Sequence, residues 1–327
     1  MLNAHASSAL AERVRAKAIE RVGLAKTYAW ENRAQVALGR LTWRLRDVEQ
    51  PIFLWGTGKT GSYLLFDILS MHPDLMCPRG VGRDNAGLYP GTPFVHEPLG
   101  YHELPYAPVE GAKRFILRPF PDAPTRTSWT PEELDEMRNG FKRMLGGSIR
   151  TRRVCDKSPH YALLVPLLEE LFPDALHVRC LRHPYWVTNS YINRMRQPGT
   201  LNPDGSWGTP PAGWAETADR SPTDRAAWLA IETLRTASDY AAALGDRCTT
   251  STYESLTAAP REQTREILKR LGLRETPILP DALPETIVSH NSSLSSLEDV
   301  SPDLRESLDA LTEDLGYAIP AKDQDRP

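Results

Sequence analysis

Cysteine is scarce in this chain: Cys77, Cys155, Cys180 and Cys248 are scattered, form no CxxC motif and suggest no pairing. A disulfide framework is therefore unsupported. Cys155 and Cys180 lie in apolar, strand-like runs, where a reduced buried thiol is expected. Long apolar runs are missing as well. None approaches the ~18 residues a spanning helix needs, so no membrane span is expected. Met1–Leu10 has neither the basic start nor the continuous apolar stretch of a secretory signal, and the reduced thiols fit a reducing cytoplasm. Basic excess is also absent. The 39 Lys/Arg stand against 42 Asp/Glu for a net charge of −3, which argues against a dedicated nucleic-acid binder. What is present is ordinary globular composition, 40 % hydrophobic and 25 % charged. The 327 residues suffice for one large domain or two modest ones.

The first 46 residues hold nine Lys/Arg and three Glu. Leu10, Val14, Ala18 and Val22 recur at helical spacing, as do Leu41 and Leu45, so residues 1–48 read as a helical extension. A basic amphipathic helix suits a membrane surface or a transit peptide. A helix laid across the following domain is the preferred reading. From residue 49 to 327 strands and helices alternate. Pro51–Trp55, Arg114–Arg118, Arg153–Cys155, Leu176–Leu181 and Cys248–Tyr253 read as strands. Helices are expected over Tyr63–Met71, from a Thr130–Glu133 capping box to about Leu145, and along the Leu164, Leu167, Leu168 and Leu171 face. Others follow from about Pro184, over 223–244, over Arg261–Leu271, and from Pro302 to a stop at Gly316. The pattern predicts an α/β fold of P-loop type: three layers around a central parallel sheet. Residues 197–222 break it. They are rich in Pro and Gly, carry Trp207 and Trp214, and read as a lid or binding loop.

The chemistry concentrates at Gly56-Thr57-Gly58-Lys59-Thr60-Gly61-Ser62, between the first strand and its helix. Glycines let successive backbone N–H groups converge on an anion, and the helix N-terminus adds partial positive charge. A Walker loop would place lysine after its second glycine; here Ser62 follows Gly61 and the lysine is Lys59. The aspartate that would hold magnesium is missing too, since Leu176–Leu181 ends in Arg182-His183. A magnesium triphosphate is therefore not the expected ligand.

Residues 51–75, through His72-Pro73-Asp74, resemble the 5′-phosphosulfate loop of sulfotransferases that use 3′-phosphoadenosine 5′-phosphosulfate. Cys155-Asp-Lys157-Ser-Pro-His-Tyr through Leu171-Phe-Pro-Asp-Ala175 is similar to a second block of the tyrosylprotein and bacterial branches. Val178–Arg194 resembles the 3′-phosphate motif, and Tyr253-Glu-Ser-Leu with Leu268–Leu273 a fourth block. The blocks stand in family order and cover most of 51–275.

The resemblance implies sulfuryl transfer from that donor, a co-substrate, to a hydroxyl or amine, without a metal. Gly58, Lys59, Thr60, Gly61, Ser62 and Tyr63 are expected around the phosphosulfate, and Arg182 and Ser190 around the 3′-phosphate. Tyr253 also joins the donor site, and Lys157 stabilises the sulfuryl group. The bland reading of Lys157 is an exposed charge at a helix start. For the proton acceptor the residues offered are Glu97 and His96, then His102 or Glu103. Between the loop and Tyr89 the pattern departs from the family, because Met76–Tyr89 has no glutamate and only Asp84. His290-Asn-Ser-Ser293 is a loose match for a further donor to the nucleotide. The acceptor is a small molecule, carbohydrate or peptide. A P-loop kinase and a non-catalytic nucleotide-binding protein are the alternatives.

Overall fold

The computed structural model describes residues 42–69, 72, 74–77, 128–144, 153–197, 199, 201–276, 279–281, 283–289, 291 and 294–320. Most of the expected N-terminal extension and the expected strand Arg114–Arg118 lie outside them, as do Asp84, His96, Glu97, His102, Glu103 and His290.

Five strands form one parallel sheet: β1 (Ile52–Trp55), β2 (Leu75–Met76), β3 (Arg153–Lys157), β4 (Leu176–Leu181) and β5 (Cys248–Thr252). Their spatial order is β2-β3-β1-β4-β5. The central strand pairs with β3 through Leu54↔Lys157 and with β4 through Trp55↔Arg179. The chain leaves β1 toward β2 and β3, then crosses to β4 and β5 on the other side. The crevice beyond the C-terminal end of β1 is thus a switch point, where ligands of open α/β sheets gather.

All four residues of β1 are fully buried, as a two-faced strand requires. Phe53 and Trp55 point to one face, where α2 (Pro131–Met144), α3 (Val165–Leu171) and α5 (Pro222–Leu244) supply Phe141, Leu168 and Ala237. Ile52 and Leu54 point to the other, against Leu65 and Ile68 of α1 (Ser62–Leu69) and Leu256 of α6 (Tyr253–Ala258). On that face Ile267 of α7 (Pro260–Arg270) completes the layer. Helices on both faces make the three layers that were expected. A third cluster joins α4 (Pro184–Met195), α5 and α8 (Pro302–Asp314) around Trp214.

The local signals hold at several ends. Thr130 and Glu133 cap α2 reciprocally, the Glu133 N–H reaching Thr130 Oγ1 and the Thr130 N–H reaching Glu133 Oε2. Gly316 adopts φ 78° after α8. Helix α1 is described through Leu69; Ser70 and Met71, its expected last residues, lie outside the described residues. Beyond it, buried His72 bonds the Arg274 carbonyl and accepts from the Asp74 N–H, tying this segment to the end of α7. Tyr253, placed by sequence at the end of β5, instead opens α6, because Thr252 accepts from the Ser255 N–H as its N-cap.

Candidate active site

Beyond Trp55 the chain turns so tightly against β4 that a Cβ on Gly56 would lie 2.2 Å from the Cys180 carbonyl oxygen. At the other end of the loop Gly61 has φ 79°, and a Cβ there would meet the Tyr253 ring at 2.5 Å. Between them Lys59 holds φ 71°, the left-handed region, at a cost of roughly 1–2 kcal/mol for a non-glycine residue. The Thr60 hydroxyl stabilises the turn by donating to the Thr57 carbonyl at 2.9 Å. Thr60 and Ser62 are buried, whereas the Lys59 side chain is exposed.

Two buried cations flank this loop, one from each strand beside β1. Lys157, the last residue of β3, is 2 % exposed, with its ammonium 2.9 Å from the centre of the Tyr63 ring. The bland expectation of an exposed charge is overturned. Arg182 directly follows β4 and is 7 % exposed. It donates to the Lys59 carbonyl at 3.0 Å and to Asn291 Oδ1 at 2.9 Å, and it lies 4.8 Å above the Tyr253 ring. Burial lowers its pKa, opposed by Tyr253 and Glu254, and a guanidinium starts so high that it stays charged. Burying a cation is costly unless an anion or several acceptors face it. Two cations flanking a glycine-rich loop and a helix N-terminus suit an anionic ligand.

The opposite flank was less legible. The Gly58 N–H, expected to face the anion, instead donates to the Tyr191 hydroxyl at 3.0 Å. Burial pushes the Tyr191 phenol up to about 12, so it stays protonated. A Cβ on Gly58 would lie 2.7 Å from the Trp207 ring, which itself packs edge-on to Tyr191 at 4.9 Å. Trp207, with Trp214, is expected from the sequence as a ring that could stack on an aromatic, sugar or peptide-tyrosine acceptor, whereas Tyr191 carries no such signal. Its bond to Gly58 spans 133 residues, and no local pattern distinguishes it from a core tyrosine of α4.

Of the other expected residues, Ser190 is half-buried and its hydroxyl donates to the Trp186 carbonyl at 2.7 Å, back into its own helix. Asn291, from the loosely matched 290–293 stretch, does reach Arg182. His160, three residues beyond Lys157, was not expected at the site; its Nδ1 shares a hydrogen bond with Thr209 of the long loop.

The fold is that of an α/β protein of P-loop-like type, with a glycine-rich loop between two buried cations. The chain belongs to the sulfotransferase family, which it matches over residues 51–277. It is 25 % identical to nodulation protein NoeE of Sinorhizobium fredii over 228 residues, 67 % of this chain and 49 % of that one. It thus spans about half the length of the curated relative it matches. Sulfotransferase STF9 from Mycobacterium avium shares its fold, with a TM-score of 0.54 and 15 % identity over 92 % of this chain and 85 % of that one. STF1 from Mycobacterium tuberculosis aligns with a TM-score of 0.50 and 17 % identity, over 84 % of this chain and 81 % of that chain. Among the described residues no helix is long and apolar enough to cross a membrane, and no His/Cys/Asp/Glu group is gathered for a metal.

Proposed function

We propose that this chain transfers a sulfuryl group from 3′-phosphoadenosine 5′-phosphosulfate to a hydroxyl or amine of its acceptor. In this reading residues 49–327 are the catalytic unit, residues 1–48 extend it, and a reducing cytoplasm suits the buried thiols. The observation that carries the reading is the pair of buried cations, Lys157 and Arg182, one on each side of the β1 loop. Arg182 suits the 3′-phosphate, with Tyr253 beneath it and Ser190 on the helix that follows. The N-terminal amides of α1, from Thr60 to Tyr63, suit the phosphosulfate. Gly58 contributes there by close backbone approach rather than by its N–H.

As the acceptor oxygen bonds to sulfur, the sulfur–bridging-oxygen bond breaks and negative charge gathers on the departing phosphate. Lys59 and Lys157 stabilise that charge, and fixed cations serve this well because they need no reorganisation. The acceptor's proton passes to a base, for which Glu97 and His96 remain the proposed groups. The loop has no lysine at the Walker position and β4 leads into Arg182-His183, so nothing favours the kinase alternative.

Calorimetric titration tests the donor. A bidentate arginine–phosphate contact in a partly dry cleft is worth about 2–4 kcal/mol, so 3′-phosphoadenosine 5′-phosphate should bind roughly 30- to 1000-fold more tightly than ADP. Arg182→Ala should erase most of that ratio and barely change ADP affinity, with no effect of magnesium on either. Equal wild-type affinities for the two nucleotides would overturn the reading.

A further inference from the structure

Lys59 faces both flanks of its loop. Its carbonyl accepts from Arg182, while its ammonium stands 5.7 Å from the centre of the Trp207 ring. On the reading above, the nucleotide lies along the Gly61 flank with Arg182 and Tyr253. In-line transfer puts the attacking oxygen on the side of sulfur opposite the leaving oxygen. The acceptor therefore enters from the Gly58 flank.

That flank carries the loop of Trp207 together with Tyr191 of α4. Trp207 lies against Gly58, and the next residue, Gly208, comes so near His160 that a Cβ there would be 3.4 Å from its Cε1. Thr209 is hydrogen-bonded to His160, which follows Lys157 by three residues, and Lys157 lies on Tyr63. Trp207 thus stands beside Gly58 and Lys59, and the loop that carries it is tied to His160, three residues beyond Lys157. Within the loop Trp207 is held in place. The Asn202 side-chain amide donates to Ser206 Oγ at 2.9 Å and to the Gly208 carbonyl at 2.5 Å, bracketing the tryptophan on both sides. Ser206 is fully buried and donates in turn to Asp204 at 2.7 Å. Trp207 itself is only half-buried, so a preset indole keeps area open to solvent.

We propose that this flank, where Trp207 meets Gly58 and Lys59, is the acceptor subsite, that Trp207 selects the acceptor, and that the acceptor is a ring-bearing alcohol, phenol or sugar, lying against the indole. The proposal rests on the donor reading. A rigid indole offers a large apolar area with little entropy to lose, which favours a flat partner over a flexible chain.

The test titrates 2-naphthol, methyl β-glucoside and 1-hexanol into protein already saturated with 3′-phosphoadenosine 5′-phosphate, followed by saturation-transfer NMR. One ring probe should bind the wild type and hexanol should not; which ring binds assigns phenol or sugar. Trp207→Ala should weaken that probe at least about tenfold, Trp207→Phe should return it to within about threefold, and nucleotide affinity should stay constant throughout. Failure of both ring probes on the saturated wild type, equal binding by Trp207→Ala, or hexanol binding as well as the rings overturns the proposal. So does a parallel loss of nucleotide affinity in Trp207→Ala, which would assign Trp207 to the loop's own structure. Failure of the wild type to bind the nucleotide at all is seen before any probe is added, and it counts against the donor reading instead.

Discussion

The two flanks of the Gly56–Gly61 loop are held by different means. On one side Arg182 stands at the end of β4, a strand paired to β1 and buried between two helical layers. On the other, Trp207 stands on a loop braced largely by its own side chains, Asn202, Asp204 and Ser206, with Arg225 of α5 over the Trp214 ring at 4.3 Å. Sheet-borne groups open only with the core, whereas loop-borne groups can open alone. A group at a strand end keeps its geometry when the loop opposite changes, so donor chemistry can stay constant while acceptor choice varies.

Lys59 sits between the flanks, and its removal should give the largest effect. Its side chain is exposed, so Lys59→Ala should leave the melting temperature nearly unchanged. Loss of one preorganised charge at the departing oxygen should slow release of 3′-phosphoadenosine 5′-phosphate from the donor by about 10²–10³-fold. Unchanged release would remove Lys59 from the mechanism. Gly56→Ala should do the reverse and strike the scaffold. Its Cβ would collide with the Cys180 carbonyl of β4, and backbone cannot step aside as a side chain does. A stability loss of roughly 2–4 kcal/mol by urea titration is expected. A neutral result would mean that β1 and β4 are less tightly joined than the geometry requires.

The same contrast governs what could be read beforehand. Strand β4 is legible with its observed bounds, because six residues with an apolar majority end at the polar pair Arg182-His183. The loop glycines and Arg182 carried a pattern in their spacing. Strand β2, two residues long, is too short to carry any pattern. Lys157 could be named but not its burial, which depends on Tyr63 from another element. The acceptor flank was the least legible. Tyr191, Trp207 and His160 come from a helix, a loop and a turn after β3, and only tertiary packing brings them toward Gly58 and Lys59.

The smallest effect expected is one of pH, and it separates the flanks most finely. Beneath the sheet-borne side, the Trp55 indole N–H donates to His177 Nδ1 at 3.0 Å, and His177 Nε2 meets Glu169 Oε1 at 3.0 Å. Glu169 is also paired with Arg247. With Nδ1 accepting from Trp55, the proton of the neutral ring belongs on Nε2, donated to Glu169. A second proton would set two donors face to face under the residue that precedes Gly56. Burial lowers the His177 pKa, and the Glu169 hydrogen bond and charge only partly oppose it. The unfolded chain, titrating near 6.5, therefore takes up a proton before the folded one does. Stability from this group is complete above about pH 6.5 and falls as pH drops from there toward the depressed folded value, by at most about 1.4 kcal/mol per pH unit. His72 and His183, also lowered chiefly by burial, add to the wild-type slope, so the wild type alone does not isolate His177. Urea titrations from pH 7.5 to 5 on wild type and His177→Gln should show a shallower acid slope in the variant. Over the same range, probe binding at Trp207 should change less than nucleotide binding at Arg182. Identical slopes in the two proteins would show that the chain from Trp55 to Arg247 does not couple to acid, and equal pH dependence at both flanks would erase the distinction between them.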